Sequence, residues 1–161
     1  MSFWTRKAPT YVDTGERKSY HATRGRVVGK TGIHPDLRDQ TTSLVSHDWF
    51  FDKRIQAELK RFFWALPAYS SNAFDCENFS VELVQWVCRK AAIAGMDASP
   101  TVWVQCVKNK VPFAGVLDGN HALNLLETDK GEFAIEPQSI SNRIIFAPLA
   151  DYPNKAYEIY Q

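Results

Sequence analysis

Apolar residues follow a helical spacing in the middle of the chain, and this pattern predicts two helices. Between residues 48 and 64, large apolar side chains recur at positions that share one face of a helix. They are Phe51, Ile55, Leu59, Phe62 and Phe63. Asp48 is the expected N-cap, and Pro67 prevents the helix from continuing.

A second helix is predicted over residues 75 to 94, because the same spacing returns there. Its apolar face is formed by Phe79, Leu83, Trp86, Val87 and Ala91. Asp75 is the expected N-cap of this helix. Gly95 is its natural stop, since glycine adopts the left-handed conformation that ends many helices.

Beyond residue 100, apolar residues alternate with polar ones, which is typical of strands. We predict strands at residues 101–109, 121–128, 132–137 and 143–148. Helices followed by a run of strands, with no helix between the strands, indicate an α+β fold in which helices pack on an antiparallel sheet.

Composition and charge divide the chain of 161 residues into a basic arm and a folded domain. Residues 1–44 are predicted to be a basic, polar N-terminal extension, and residues 45–161 to form one compact unit. Within residues 1 to 40, eight Lys and Arg face four Asp and Glu. Such an arm can contact an acidic partner, although a solvated segment is the more ordinary interpretation. The net charge of +1 gives no reason to expect nucleic acid as a partner.

The sequence contains neither the apolar core of a secretory signal nor a run long enough to cross a membrane. Its three cysteines are too few for a disulfide framework, so we expect a reducing cytoplasm as the location and no membrane partner. Cys88 and Cys106 lie within a predicted helix and a predicted strand, where they are expected to fill the core.

Cys76 is the candidate for chemistry, because it lies in the first turn of the second predicted helix. Unpaired amides and the positive end of the helix dipole stabilise a thiolate there. Asp75 and Glu77 on either side oppose this effect. A reactive Cys76 therefore requires an imidazolium partner.

Of the four histidines, His121 is the best candidate for that partner. It opens an apolar strand directly after a glycine-containing turn, whereas His21, His34 and His47 lie where a solvated histidine is ordinary. A structural histidine at position 121 is the alternative.

A histidine that acts as a base also needs an acid or amide to orient its ring, and Glu136 is the candidate for that role. Asp118 and Asn124 are rivals, and Glu136 could simply face solvent. A two-residue turn at Lys130-Gly131 would hold Glu136 about 13 Å from His121 along the strand. Contact between them then requires a bulged connection that loops out residues 127–130.

The three stretches DCENF, HALN and IEPQ, in this order, resemble the papain-like and transglutaminase-like cysteine enzymes. They are most similar to the protease domain of fungal chimerolectins and its bacterial and phage relatives. The resemblance implies a papain-like or transglutaminase-like core and a catalytic triad of Cys76, His121 and Glu136. It also implies supporting roles for the residues that complete the motifs, which are Asp75, Asn124 and Gln138.

Two further expectations accompany this resemblance. Papain-like enzymes use a side-chain amide before the cysteine to bind the oxyanion, and Asn72 and the Cys76 amide are the donors that this sequence offers. The chimerolectin relatives are activated by calcium, for which Asp75 and Glu77 could supply oxygens, although a helix cap and a solvated side chain explain them equally well. No other cofactor is expected.

We therefore predict a cysteine peptidase or amidase that forms an acyl-enzyme on a protein or peptide-like amide. One alternative is a transglutaminase-type acyl transferase on the same triad. Another is a non-catalytic binding or inhibitor module. For that module, five aromatic residues are candidates for recognition: Trp4, Tyr11, Tyr20, Trp49 and Trp64.

Overall fold

The computed structural model describes residues 8–19, 41–70, 75–109, 111, 113, 119–154 and 156–160. Its strands are β1 (Asp13–Ser19), β2 (Thr41–Val45), β3 (Ser99–Pro100), β4 (Val102–Asn109), β5 (Gly119–Thr128), β6 (Gly131–Glu136), β7 (Ile145–Pro148) and β8 (Ala156–Tyr160). Its helices are α1 (His47–Phe50), α2 (Lys53–Trp64) and α3 (Cys76–Ile93), and short 3-10 turns cover Pro137–Ser139 and Leu149–Asp151.

The eight strands of the described residues form one mixed sheet. Its main order is β1-β2-β5-β4-β8, with β3 beside β2, β6 beside β5 and β7 beside β6. The contacts of β2 with β3 and with β5 are parallel, and the others are antiparallel. The prediction of an antiparallel sheet is therefore wrong. Side chains alternate in the same way in both kinds of sheet, so the sequence pattern carries no information about strand direction.

Two strands come from the part of the chain that was assigned to the N-terminal extension. β1 pairs with β2, and β2 joins β5 through Val45 and Thr128. Residues 1–7 and 20–40 lie outside the described residues, so the division of the chain at residue 44 and the role of the basic arm stay predictions.

The predicted helix over residues 75–94 is confirmed as α3. The single helix predicted over residues 48–64 is instead divided into α1 and α2, because the Asp52 side chain accepts a hydrogen bond from the Arg54 amide and caps a new helix. Within the part of the chain that the structure describes, no helix has both the length and the apolar character needed to cross a membrane.

Helices α2 and α3 bury their apolar faces in one large cluster. Leu83 and Val87 of α3 join Val104 and Leu126 of the sheet in this cluster, and all four are at most 1% exposed. A second set of buried residues forms smaller clusters that include Trp103, Leu123, Leu125 and Ile159. Because apolar side chains on both sides of the sheet are buried, its strands are rigid supports for side chains at their ends.

The hairpin between β5 and β6 sets the register of the two strands. Thr128 lies opposite Gly131, so Asp129 and Lys130 form the turn, one residue earlier than predicted. Asn124 lies opposite Ile135, and the next position of β6 therefore brings Glu136 beside Leu123. Glu136 is then on the same side of the strand pair as His121, because its partner Leu123 lies two residues from His121 on β5.

Candidate functional site

The start of α3 fixes the position of Cys76. The Asp75 carboxylate accepts hydrogen bonds from the Glu77 and Asn78 amides, at 3.0 and 3.3 Å, and the Asn78 side chain accepts one from the Asp75 amide at 3.1 Å. This reciprocal capping box satisfies amides that the helix itself leaves unpaired. In addition, the Ser80 hydroxyl donates to the Cys76 carbonyl at 2.9 Å. The backbone on both sides of the thiol is thus held in one conformation.

His121 and Glu136 form a buried hydrogen-bonded pair. The His121 Nε2 atom lies 2.6 Å from Glu136 Oε2, and the two side chains are 3% and 1% exposed. The other carboxylate oxygen of Glu136 accepts a hydrogen bond from the Gln138 amide at 2.9 Å. Both oxygens of this buried carboxylate therefore have partners, as burial of a charge requires.

The thiol of Cys76 completes this arrangement, which we call the thiol cluster: Cys76, His121 and Glu136. The Cys76 side chain lies close enough to His121 to help raise the pKa of its ring. The backbone amide of Ala122 donates to Cys76 Sγ, at 3.4 Å. Because His121 Nε2 faces Glu136, the other ring nitrogen is the one left for the thiol.

The electrostatics of the thiol cluster favour a protonated imidazole. Burial lowers the pKa of His121, but its interactions with Cys76 and Glu136 outweigh this effect and raise the pKa to about 9. Burial and the nearby Glu136 carboxylate also raise the pKa of Tyr152 to about 12, so this side chain adds no negative charge at neutral pH. The geometry can accommodate transfer of the thiol proton to His121 while Glu136 fixes the ring.

The predicted supporting residues Asn124 and Gln138 differ in how they contribute to the site. Asn124 does not orient His121; its side-chain amide donates to the Ser80 carbonyl at 2.9 Å and to the Trp103 carbonyl at 3.2 Å, which ties α3 to the sheet. Gln138 contributes its backbone amide to Glu136. The predicted oxyanion donor Asn72, the rival acid Asp118, and His21 and His34 lie outside the described residues.

The other cysteines and His47 are not members of the thiol cluster, although Cys106 lies opposite Ala122 in the pairing of β4 with β5. Cys106 is buried, Cys88 is half-buried, and none of the three cysteines is in a disulfide. His47 forms an ion pair with Asp48 and packs on Phe51, with ring centres 4.7 Å apart.

The described residues offer no cluster of three or more His, Cys, Asp or Glu side chains that could hold a metal ion. One carboxylate oxygen of Asp75 is already used by the helix cap. The possible use of Asp75 and Glu77 as calcium ligands stays a prediction.

A surface groove begins one turn along α3 from Cys76. We call it the Trp64 groove; its cavity of about 500 Å³ is lined by Phe63, Trp64, Tyr69, Phe79, Gln138 and Ser141, together with residues 66–68. Trp64 is 80% exposed and Tyr69 is 57% exposed, although both are large aromatic side chains. Exposed aromatic rings beside an amide and a hydroxyl are typical of a ligand-binding surface.

Sequence reasoning identified some of these residues and missed others. Among the five aromatic candidates for recognition, Trp64 is exposed, whereas Trp49 and Tyr11 are buried against each other with ring centres 4.6 Å apart. Trp4 and Tyr20 lie outside the described residues. The Ala122 amide was missed because a backbone donor leaves no signal in the sequence. The serine at the fourth position after Cys76 was a usable signal, since a helical serine can bond to the carbonyl one turn earlier.

Solved structures match this fold across 90% of the chain. One is described as Polyporus squamosus lectin bound to the human-type influenza-binding epitope Neu5Aca2-6Galb1-4GlcNAc, with a TM-score of 0.64 and 12% sequence identity. Another is described as a PSL1a-E64 complex, with a TM-score of 0.61 and 14% identity. This chain spans only 49% and 50% of their lengths. No protein-family model matches the sequence, and no curated protein matches it.

These comparisons correct the predicted family and fold class. The matching structures are those of a lectin and not of a papain-like or transglutaminase-like enzyme. The mixed sheet also differs from the predicted papain-like α+β core. The same finding counts against the predicted cysteine peptidase or amidase. The resemblance depended on three short stretches, which constrain the surroundings of a few residues and leave the rest of the fold undetermined. At 12% to 14% identity, the likeness establishes that the chain has the fold of these solved structures.

Proposed function

We propose that this chain is a non-catalytic binding module that recognises carbohydrate. The proposal is supported by the solved structures of the same fold, one of which is described as a lectin with a bound sialylated trisaccharide. It replaces the predicted peptide-like amide with a ligand that is held and not cleaved. A lectin-like module needs a surface that offers both apolar contact and hydrogen bonds.

The Trp64 groove is the observation that carries the proposal. Sugar rings present a face of C–H groups and an edge of hydroxyls. The exposed rings of Trp64 and Tyr69 can cover the apolar face. The Gln138 amide and the Ser141 hydroxyl line the same cavity, and each can both donate and accept hydrogen bonds. The volume of about 500 Å³ falls within the range of roughly 300–1,000 Å³ that is usual for ligand pockets.

Titration with glycans tests this function. We expect Galβ1-4GlcNAc, with or without a sialic acid, to bind with a heat signal by calorimetry and to change tryptophan fluorescence. Trp64→Ala should weaken binding roughly tenfold, because a central aromatic anchor commonly contributes this much. Ile93→Ala is the matched control, since Ile93 is 81% exposed and does not line the groove.

Two results would overturn the proposal. One is binding to no member of a broad glycan array under conditions in which the chain is folded. The other is cleavage of an amide substrate by the wild-type chain and not by Cys76→Ala, because such turnover is not the behaviour of a binding module.

The thiol cluster supports a second candidate function, a reactive thiol. We propose that Cys76 is a nucleophile towards carbon electrophiles, that His121 takes up its proton, and that Glu136 orients the ring. The observations behind these roles are the His121–Glu136 hydrogen bond, the hydrogen bond from the Ala122 amide to Cys76 Sγ, and the effect of Cys76 on the pKa of His121. In the reaction with iodoacetamide, the Cys76 thiolate forms a bond from Sγ to carbon and iodide leaves, while His121 keeps the proton that it took from the thiol when the ion pair formed.

Alkylation rates between pH 5 and 9, read residue by residue with mass spectrometry, test the reactive thiol. We expect Cys76 to react faster than half-buried Cys88 below pH 8 and to lose this advantage in His121→Ala. His121→Gln provides a second variant if the first does not fold. Equal rates for Cys76 and Cys88 in the wild-type chain would exclude the proposed activation.

A further inference from the structure

The Trp64 groove and the thiol cluster are connected through two chain segments. Phe79 lines the groove and lies three residues after Cys76, within one turn of the same helix. Gln138 also lines the groove, and its backbone amide is bonded to Glu136 at 2.9 Å. Phe79 and Gln138 therefore each belong to a chain segment that lines the groove and also holds a member of the thiol cluster.

Access to the cluster differs among its three members. His121 and Glu136 are 5% and 1% exposed, whereas Cys76 is half-buried. The thiol is therefore the member of the cluster that solvent reaches. A group attached to Cys76 Sγ has no room in the buried part of the cluster and must extend outwards.

We infer that the groove and Cys76 form one composite site, in which a carbohydrate in the groove and a substituent on the thiol exclude each other. The inference rests on the proposed carbohydrate binding, and it adds a means of regulation: modification of Cys76 closes the site to its ligand. Because the two groups compete for the same space, the effect is expected in both directions: the glycan shields the thiol, and a substituent on the thiol blocks the glycan.

The first test measures both directions of this effect with iodoacetamide and Galβ1-4GlcNAc. At saturating glycan, alkylation of Cys76 should slow roughly tenfold, and the alkylated chain should bind the glycan roughly tenfold more weakly or worse, because the substituent occupies part of the site. Cys88 is the internal control, because it lines a separate cavity of about 240 Å³ at the other end of α3, with Met96. Its alkylation rate should not change.

The outcomes distinguish failure of the composite site from failure of carbohydrate binding. Glycan binding with an unchanged Cys76 alkylation rate would overturn the composite site and leave the binding function intact. Protection of Cys76 and Cys88 to the same extent would also overturn it, since that result indicates a general change in the fold.

A second test needs no glycan, so it remains decisive even if carbohydrate binding fails. An environment-sensitive maleimide dye attached to Cys76 should lie against Trp64, show blue-shifted emission and quench the fluorescence of this tryptophan. Both effects should disappear in Trp64→Ala and persist in Ile93→Ala. Dye emission that is identical in the wild-type chain and in Trp64→Ala would show that the groove does not reach the thiol and would overturn the inference.

Discussion

The thiol cluster and the Trp64 groove share two chain segments but differ in how their side chains are held. In the thiol cluster, His121 and Glu136 are buried, and each has a fixed hydrogen-bond partner at the end of a sheet strand. In the groove, Trp64 and Tyr69 stand in solvent near the end of a helix. A buried polar pair is sensitive to every change in its neighbours, whereas an exposed ring can be replaced with little effect on the fold.

Removal of the buried charge should produce the largest effect. Glu136→Gln keeps the shape of the side chain but leaves the buried His121 without its carboxylate, and breaking such pairs costs about 3–5 kcal/mol. We expect a loss of this order in the free energy of unfolding, measured by urea denaturation. Asp48→Asn is the control, because both members of the Asp48–Lys130 pair are exposed and water screens their attraction, so the loss of stability should be much smaller. Equal losses of unfolding free energy in Glu136→Gln and Asp48→Asn would contradict the difference between the buried pair and the exposed pair.

The pH dependence of stability should reveal the same pair with a slightly smaller effect. The pKa of His121 is raised from 6.5 to about 9 in the folded chain. Its proton therefore stabilises the fold fully below pH 6.5, and this contribution is lost as the pH rises through 9. We expect the free energy of unfolding to fall by at most about 3 kcal/mol across this window.

The measurement is urea denaturation at a series of pH values, for the wild-type chain and for His121→Gln. The difference between the two curves should shrink as the pH rises through 9 and should become constant above pH 10. A difference that does not depend on pH would mean that His121 is neutral in the folded chain.

Asn124 should have an intermediate effect, since it joins α3 to the sheet without belonging to either region. Its side chain is fully buried and donates to the Ser80 and Trp103 carbonyls. Asn124→Ala should cost about 2 kcal/mol, because it leaves buried carbonyls unpaired. It should also slow Cys76 alkylation, since Ser80 bonds to the Cys76 carbonyl. Loss of stability with an unchanged alkylation rate would show that Asn124 is structural only.

The smallest effect on stability is expected at the groove. Trp64→Ala should change the free energy of unfolding by less than about 0.5 kcal/mol, because the side chain is 80% exposed. Thermal or urea unfolding measures this change. A large loss of stability would place Trp64 in the core and would remove the main support for the groove as a binding surface.

The sequence predicts the start of α3 well, because Asp75 and Asn78 form a local capping box that depends on a few consecutive residues. It also indicates which of the histidines and acids to examine. It does not predict their contact, since the β5–β6 register depends on whether the turn is at Asp129–Lys130 or one residue later. Moving this turn by one residue changes the partner of Glu136 from Leu125 to Leu123, which keeps Glu136 on the same face as His121 but brings it two residues closer along the strand.

The architecture and the groove were less accessible to sequence reasoning. The parallel contact between β2 and β5 joins Val45 to Thr128, which are distant in the chain, and neither strand's pattern of side chains encodes its direction. The groove brings together the end of α2, the residues after it, and the segment that follows Glu136. Trp64 lies at a helix end, where the same spacing fits a buried or an exposed ring equally well.

The most direct test of the binding module is the glycan affinity of three chains by calorimetry: wild type, Trp64→Ala and Cys76→Ala. If the groove binds carbohydrate without chemistry at the thiol, Cys76→Ala will bind as tightly as wild type, because alanine only removes bulk beside the groove. Trp64→Ala will bind roughly tenfold more weakly. Loss of binding in Cys76→Ala with full binding in Trp64→Ala would contradict the account, since recognition would then depend on the thiol and not on the groove.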